Sequence, residues 1–335
     1  MKKWIFRISG LFVSVILLFY IYFQFVYEIK LMDFDMEFEY AYTDFQSVDK
    51  FDTQDGYMLY YPNDFEHDSI SVIVFNHGWA AHDPVAYGAW LKHLILQGNA
   101  VIYPRYQNSI FTLPSVFTDN AAKAVKDGLE YLETEIGIAP RKDFMVYTGH
   151  SFGGVISVNL AVMHEEYGLP KPVSVFAVQA GHGSFGMGEE IDYSRFPEET
   201  NLIFVVSEKD RITGDVFAKE IYELNEGLDK RIYGYKMFYD SHNDEVLKAT
   251  HADPIAMHPD FRMRTAFWIL IHATIANEIN QADIYGFWRM FDIITDAAFS
   301  NVGLEEILDN HTPDGEFYMG TWTDGTPVKP MQRIF

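Results

Sequence analysis

Between residues 57 and 239 two hydrophobic patterns alternate along the chain, short continuous apolar runs and longer amphipathic ones. Ser69–Phe75 (SISVIVF) is the clearest apolar run, largely β-branched, as a strand buried on both faces requires. Tyr57–Tyr61, which follows the turn signal Asp55-Gly56, reads as a strand, as do Ala100–Tyr103, Asp143–Thr148, Val173–Val178, Leu202–Val206 and Lys236–Tyr239. Residues 84–97, Val116–Ile136, Gly154–Tyr167, Asp215–Asn225 and Phe261–Ile275 read as helices. This alternation predicts an α/β fold with a mostly parallel central sheet and helices on both faces. The main domain should cover residues 51–279, after a stalk and edge strand at 28–50. An aromatic, turn-rich extension over 280–335 should pack on that domain.

The N-terminus has a different pattern. Lys2, Lys3 and Arg7 precede Ile8–Tyr27, which holds no charged residue. A helix needs about 20 apolar residues to cross a bilayer, and this run is long enough. The positive flank should remain cytoplasmic, placing the main domain on the extracytoplasmic side. A cleaved signal peptide shares the basic start and apolar centre. However, Gln24-Phe25-Val26-Tyr27-Glu28 lacks the small residues a signal peptidase prefers, so residues 1–27 read as an uncleaved signal-anchor.

Composition narrows the chemistry. A net charge of −23 over 335 residues, with no Lys/Arg cluster, argues against nucleic acid as a partner. The absence of cysteine excludes disulfides, a thiolate nucleophile and Cys-ligated zinc. Twelve histidines are present, but none stands at a ligand spacing that suggests a metal site.

The central motif is Gly149-His150-Ser151-Phe152-Gly153, placed directly between an apolar strand and a helix. In that setting a sharp turn lifts the serine hydroxyl above the sheet, and the flanking glycines avoid steric conflict. Ser151 is therefore the candidate nucleophile. Serine needs a base and an orienting acid, which in such folds follow in the order Ser, acid, His. Asp210, just beyond the Leu202–Val206 strand, is the preferred acid, with Glu208 and Asp215 as neighbours that could serve instead. Two histidines follow the last strand. His242 is nearer the strand end, whereas His251 requires an inserted loop, so the residues alone slightly favour His242 as the base, with His251 the other candidate. Oxyanion donors should be the backbone N–H groups of Phe152, next to the nucleophile, and of Trp79 in the Phe75-Asn76-His77-Gly78-Trp79 segment. Gly78, His77 and His150 are expected to line the substrate site.

Three segments carry a family resemblance: His77-Gly78-Trp79-Ala80-Ala81 with the following Trp90-Leu91 and Gln97-Gly98, the Gly-His-Ser-Phe-Gly-Gly elbow, and Ala249-Thr250-His251-Ala252-Asp253-Pro254. Over roughly residues 55–275 the chain resembles the bacterial cutinase and polyester-hydrolase branch of the α/β-hydrolases. It is more loosely similar to the platelet-activating-factor acetylhydrolases. The last segment is similar to the one around the catalytic histidine of cutinases, with Trp268 in a following apolar helix, and this favours His251 as the base. The resemblance implies an α/β-hydrolase fold and hydrolysis of a small-molecule or lipid-like ester, with no metal and no organic cofactor. A peptidase or amidase, a perhydrolase, or a non-catalytic membrane-anchored binding protein would keep the same framework. The chain departs from cutinases in its anchor, its lack of a C-terminal disulfide and its extension beyond residue 280.

Overall fold

A computed structural model describes residue 14 and residues 38–182, 188–228, 231–258, 260–261, 279–300, 302–312 and 315–335. Among the described residues no helix is long and apolar enough to cross a membrane. The expected span at Ile8–Tyr27 lies, but for Ser14, outside the described residues. So does all but the first residue of the expected Phe261–Ile275 helix, including Trp268.

The strands, in chain order, are β1 (Phe45–Lys50), β2 (Tyr57–Pro62), β3 (Ser69–Asn76), β4 (Asn99–Pro104), β5 (Ala139–His150), β6 (Ser174–Val178), β7 (Asn201–Ser207) and β8 (Ile232–Met237). A small hairpin, β9 (Asp240–His242) with β10 (Glu245–Leu247), follows, and β11 (Glu316–Phe317) and β12 (Met331–Arg333) come near the C-terminus. All but the hairpin form one ten-stranded mixed sheet in the order β1-β2-β4-β3-β5-β6-β7-β8-β12-β11. Its centre, from β4 to β8, is parallel. Antiparallel strands close both margins. The molecule is thus α/β, as the alternating pattern predicts.

Successive residues of a strand point to opposite faces, and the central strands are apolar on both. Val72 and Val74, Tyr147, Val175 and Phe204 join one buried cluster, while Ile73, Phe75, Val146, Phe176 and Val205 join the other. The first face is covered by α2 (Phe117–Tyr131), α3 (Phe152–Val162) and α4 (Val216–Leu224). The second is covered by α1 (Gly88–Leu96) and by a C-terminal helical stretch, Ala282–Arg289 running into α5 (Met290–Ser300). A short α6 (Leu304–His311) follows, and a single helical turn, His164–Tyr167, lies just beyond α3.

Element boundaries differ from the sequence reading in places. The last parallel strand is Ile232–Met237 rather than Lys236–Tyr239. Gly234 interrupts its apolar run, yet the strand tolerates glycine because the Phe335 ring lies where a side chain would stand. The extension beyond residue 280 contains regular structure whose pattern is weak in sequence. Its strands β11 and β12 are two and three residues long, too short for any periodicity to register. It also belongs to the core: Phe287 stacks on Trp90 with centroids 6.0 Å apart, and Phe291 meets Phe176 at 5.9 Å.

Candidate active site

The sheet order reverses around β3, since β4 lies on one side of it and β5 on the other. In open α/β sheets such a switch point leaves a crevice at the carboxyl ends of the strands. Asn76 at the end of β3 pairs with Gly149 near the end of β5, so the loop after β3 meets the turn that begins α3.

Ser151 occupies that turn with φ 58° and ψ −125°, a conformation that costs a non-glycine residue on the order of 1–3 kcal/mol. Its N–H donates to the Val178 carbonyl at 2.9 Å, which ties the strained residue to β6. The elbow sits tightly on β3: a Cβ at Gly153 would run into the Asn76 and His77 carbonyl oxygens. Among the described residues seven non-glycine positions have positive φ, and five of them (Ala80, Tyr106, Ser151, Gln179 and Ala249) lie in loops at this edge of the sheet. Concentrated strain of this kind is held in place by surrounding structure and marks a site.

The structure brings Ser151, Asp210 and His251 together. The Ser151 hydroxyl lies 2.9 Å from His251 Nε2, and His251 Nδ1 lies 2.8 Å from Asp210 Oδ2. Asp210 follows β7, and its other oxygen accepts the Ile212 and Thr213 N–H groups at 2.8 and 3.1 Å. The Thr213 hydroxyl adds a contact of 2.7 Å to Oδ2. Burial works to raise the Asp210 pKa, but the His251 contact, its charge and these donors outweigh burial and hold the carboxyl well below the usual range. An ionised Asp210 fixes the proton of His251 on Nδ1, leaving the Nε2 lone pair facing the serine. Thr250, the residue before His251, is held by Asp253, whose carboxyl group accepts the Thr250 N–H at 2.9 Å and the Thr250 hydroxyl at 2.7 Å.

The other candidates lie elsewhere. His242 is on the β9–β10 hairpin, with Nε2 2.7 Å from Asp324 Oδ2 in the C-terminal extension. Closeness to a strand end in sequence does not place it at the site, because the hairpin turns the chain away before the Ala249–Asp253 segment returns. Glu208 accepts the Tyr239 N–H and pairs with Lys209, and Asp215 pairs with Lys219 at 2.9 Å.

On the side of the loop after β3, a Cβ at Gly78 would stand 3.3 Å from the Ser151 Cβ, so this loop lies directly against Ser151. Trp79 follows it and is 39% exposed. Phe152 opens α3, so its N–H precedes the intrahelical ladder and points where helix N-termini favour negative charge.

His77 and His150 correct the expectation that they line the substrate site, since both are buried. The His77 ring is enclosed between the Gly78 and Arg105 carbonyls, 2.7 and 2.8 Å from its nitrogens, and stacks on Tyr106 with centroids 3.9 Å apart. Full burial lowers its pKa to about 3, against the two carbonyls, which favour the charged ring, and the enclosed ring braces the loop. His150 is likewise lowered to about 3, chiefly by burial and next by the neighbouring His251.

Three residues that sequence reasoning missed complete the surroundings: Thr213, Tyr87 and Gln179. Thr213 lies within a turn of the acid and could have been suspected as its partner. Gln179 had a faint signal, as a polar residue ending the apolar Val173–Val178 run at the loop edge of the sheet. Tyr87 had none, because its hydrogen bonds are made 9 and 63 residues away in sequence. No protein-family model matches the chain, and neither does any curated protein.

Proposed function

We propose that this protein is a serine hydrolase of the α/β-hydrolase fold that cleaves carboxylic esters through an acyl-enzyme. The observation that carries the reading is the continuous contact Ser151–His251–Asp210, at 2.9 and 2.8 Å, with the serine on a strained turn at a sheet switch point. Ester rather than another acyl substrate follows from the resemblance to cutinases and polyester hydrolases. In the same way, the apolar run Ile8–Tyr27 behind a basic flank supports tethering to a membrane with the hydrolase domain on the extracytoplasmic side.

Each group has one task. His251 Nε2 takes the hydroxyl proton as Ser151 Oγ bonds to the ester carbonyl carbon. Asp210 stays ionised and stabilises the imidazolium. The backbone N–H groups of Trp79 and Phe152 hold the oxyanion. Collapse of the tetrahedral adduct breaks the ester C–O bond, and His251 passes its proton to the departing alkoxide. Water, deprotonated by His251, then attacks the acyl carbon, and Ser151 leaves with the proton.

Ser151→Ala should abolish turnover of a short p-nitrophenyl ester, a loss of at least about a thousandfold. Its thermal midpoint should hold or rise, because alanine removes no packing and leaves the backbone strain in place. Undiminished turnover in this variant would sink the assignment.

A further inference from the structure

Behind the triad a second set of polar contacts joins the oxyanion loop to the histidine loop without touching the reacting atoms. Gly78 N–H lies 2.9 Å from the Tyr87 hydroxyl oxygen, and that oxygen lies 2.8 Å from His150 Nδ1. His150 Nε2 lies 3.2 Å from Gln179 Oε1. Gln179 Nε2 lies 2.8 Å from the Thr250 carbonyl oxygen, one residue before His251, and 2.6 Å from the Ser207 hydroxyl. Tyr87, His150, Gln179 and Ser207 are all buried.

The backbone groups at the two ends fix the direction of every link. A peptide N–H can only donate, so Gly78 donates to Tyr87. A peptide carbonyl can only accept, so the Gln179 amide nitrogen faces Thr250 and its oxygen faces His150. His150 must then donate from Nε2 and accept at Nδ1, and the Tyr87 hydroxyl supplies the proton to that acceptor. Only the neutral Nε2–H tautomer satisfies all the links at once. A protonated His150 would turn a second donor on Tyr87, whose own proton would then lose its acceptor. Burial acts in the same sense, since it keeps this imidazole uncharged.

Two further features tie this chain of bonds to the chemistry. The His150 ring centroid is 4.7 Å from that of His251, so its charge state and position bear directly on the base. Gln179 holds φ 47°, and its own carbonyl oxygen lies 2.9 Å from the Thr213 hydroxyl that contacts Asp210. One residue thereby braces both loops, the acid loop through its backbone carbonyl and the histidine loop through its side chain.

We propose that Tyr87, His150 and Gln179 are positioning residues: a one-directional hydrogen-bond chain that sets the oxyanion loop and the His251 loop in register on either side of Ser151. This rests on the serine-hydrolase reading. It requires that breaking any link misplaces the same pair of loops, so that two breaks cost little more than one. Binding of a small ester should change little, because none of the three side chains reaches solvent.

The test is a double-mutant cycle on the full-length chain in detergent, using Tyr87→Phe, Gln179→Met and the pair. Hydrolysis of a short p-nitrophenyl ester is normalised to sites titrated with a fluorophosphonate, so that misfolded protein does not count. Each single variant should lower kcat about tenfold to a hundredfold with KM nearly unchanged, the scale expected when reacting groups shift by about 1 Å. The double variant should match the weaker single, as coupled positions do. Singles that keep kcat within about twofold, losses confined to the number of titratable sites, or effects that multiply in the pair would each overturn the proposal. A wild type that neither titrates nor turns over would instead remove the hydrolase reading, and this one with it.

Discussion

The loops around Ser151 and the C-terminal extension are both buried against the same sheet, yet different forces order them. The loops carry five residues at positive φ and a dense set of buried polar contacts, each directional and each satisfied by a named partner. The extension is held by apolar contact: Phe287, Trp288, Met290, Phe291 and Ile294 sit in the core beside Trp90 and Phe176. Apolar packing is non-directional and tolerates adjustment, whereas a hydrogen-bonded loop holds one arrangement or loses its bonds. The first kind of order secures stability and the second secures geometry.

Substitutions should separate the two. The largest effect falls on the loops with no matching loss of stability, and the Ser151→Ala result sets that extreme. Next comes Phe287→Ala, a fully buried ring in the extension. It should cost about 3–5 kcal/mol in urea or thermal unfolding while leaving kcat per titrated site unchanged. A variant that kept its stability but lost kcat would mean that the extension takes part in the site rather than supporting it.

The smallest effect tests a place where the two regions meet. Asp283, at the start of the extension, is fully enclosed, with one carboxyl oxygen lacking a hydrogen-bond partner and Asp253 nearby. Burial, reinforced by Asp253, pushes its pKa well above the usual carboxyl range. The unfolded chain therefore ionises first as pH rises, and folding stability falls from the ordinary carboxyl range up to the folded pKa. Asp283→Asn cannot ionise, so its thermal midpoint should exceed that of wild type at pH 8, and the difference should shrink towards pH 4. A difference that grew on acidification would contradict this account of the junction.

The same contrast explains what could be read without coordinates. Apolar runs such as Ser69–Phe75 and Leu202–Val206 reveal the strands because burial on both faces leaves a continuous signature. The elbow is legible because its glycines and serine are adjacent in the chain, and Asp210 because it follows a strand. Spacing favoured His242 and only the resemblance pointed to His251, because the choice depends on how a hairpin folds back. The Tyr87–His150–Gln179 contacts were invisible, as they join positions 63 and 29 residues apart in sequence through side chains of ordinary type. Burial of His77 and His150 was missed for a related reason: a histidine beside a catalytic motif reads as a contact residue until its backbone partners are known.

The central claim is tested most directly by fluorophosphonate labelling of the full-length protein, comparing wild type with His251→Ala and His242→Ala. Labelling of wild type and of His242→Ala at equal rates, with loss in His251→Ala, is the predicted result. Labelling that depends on His242, or none in wild type, would contradict it.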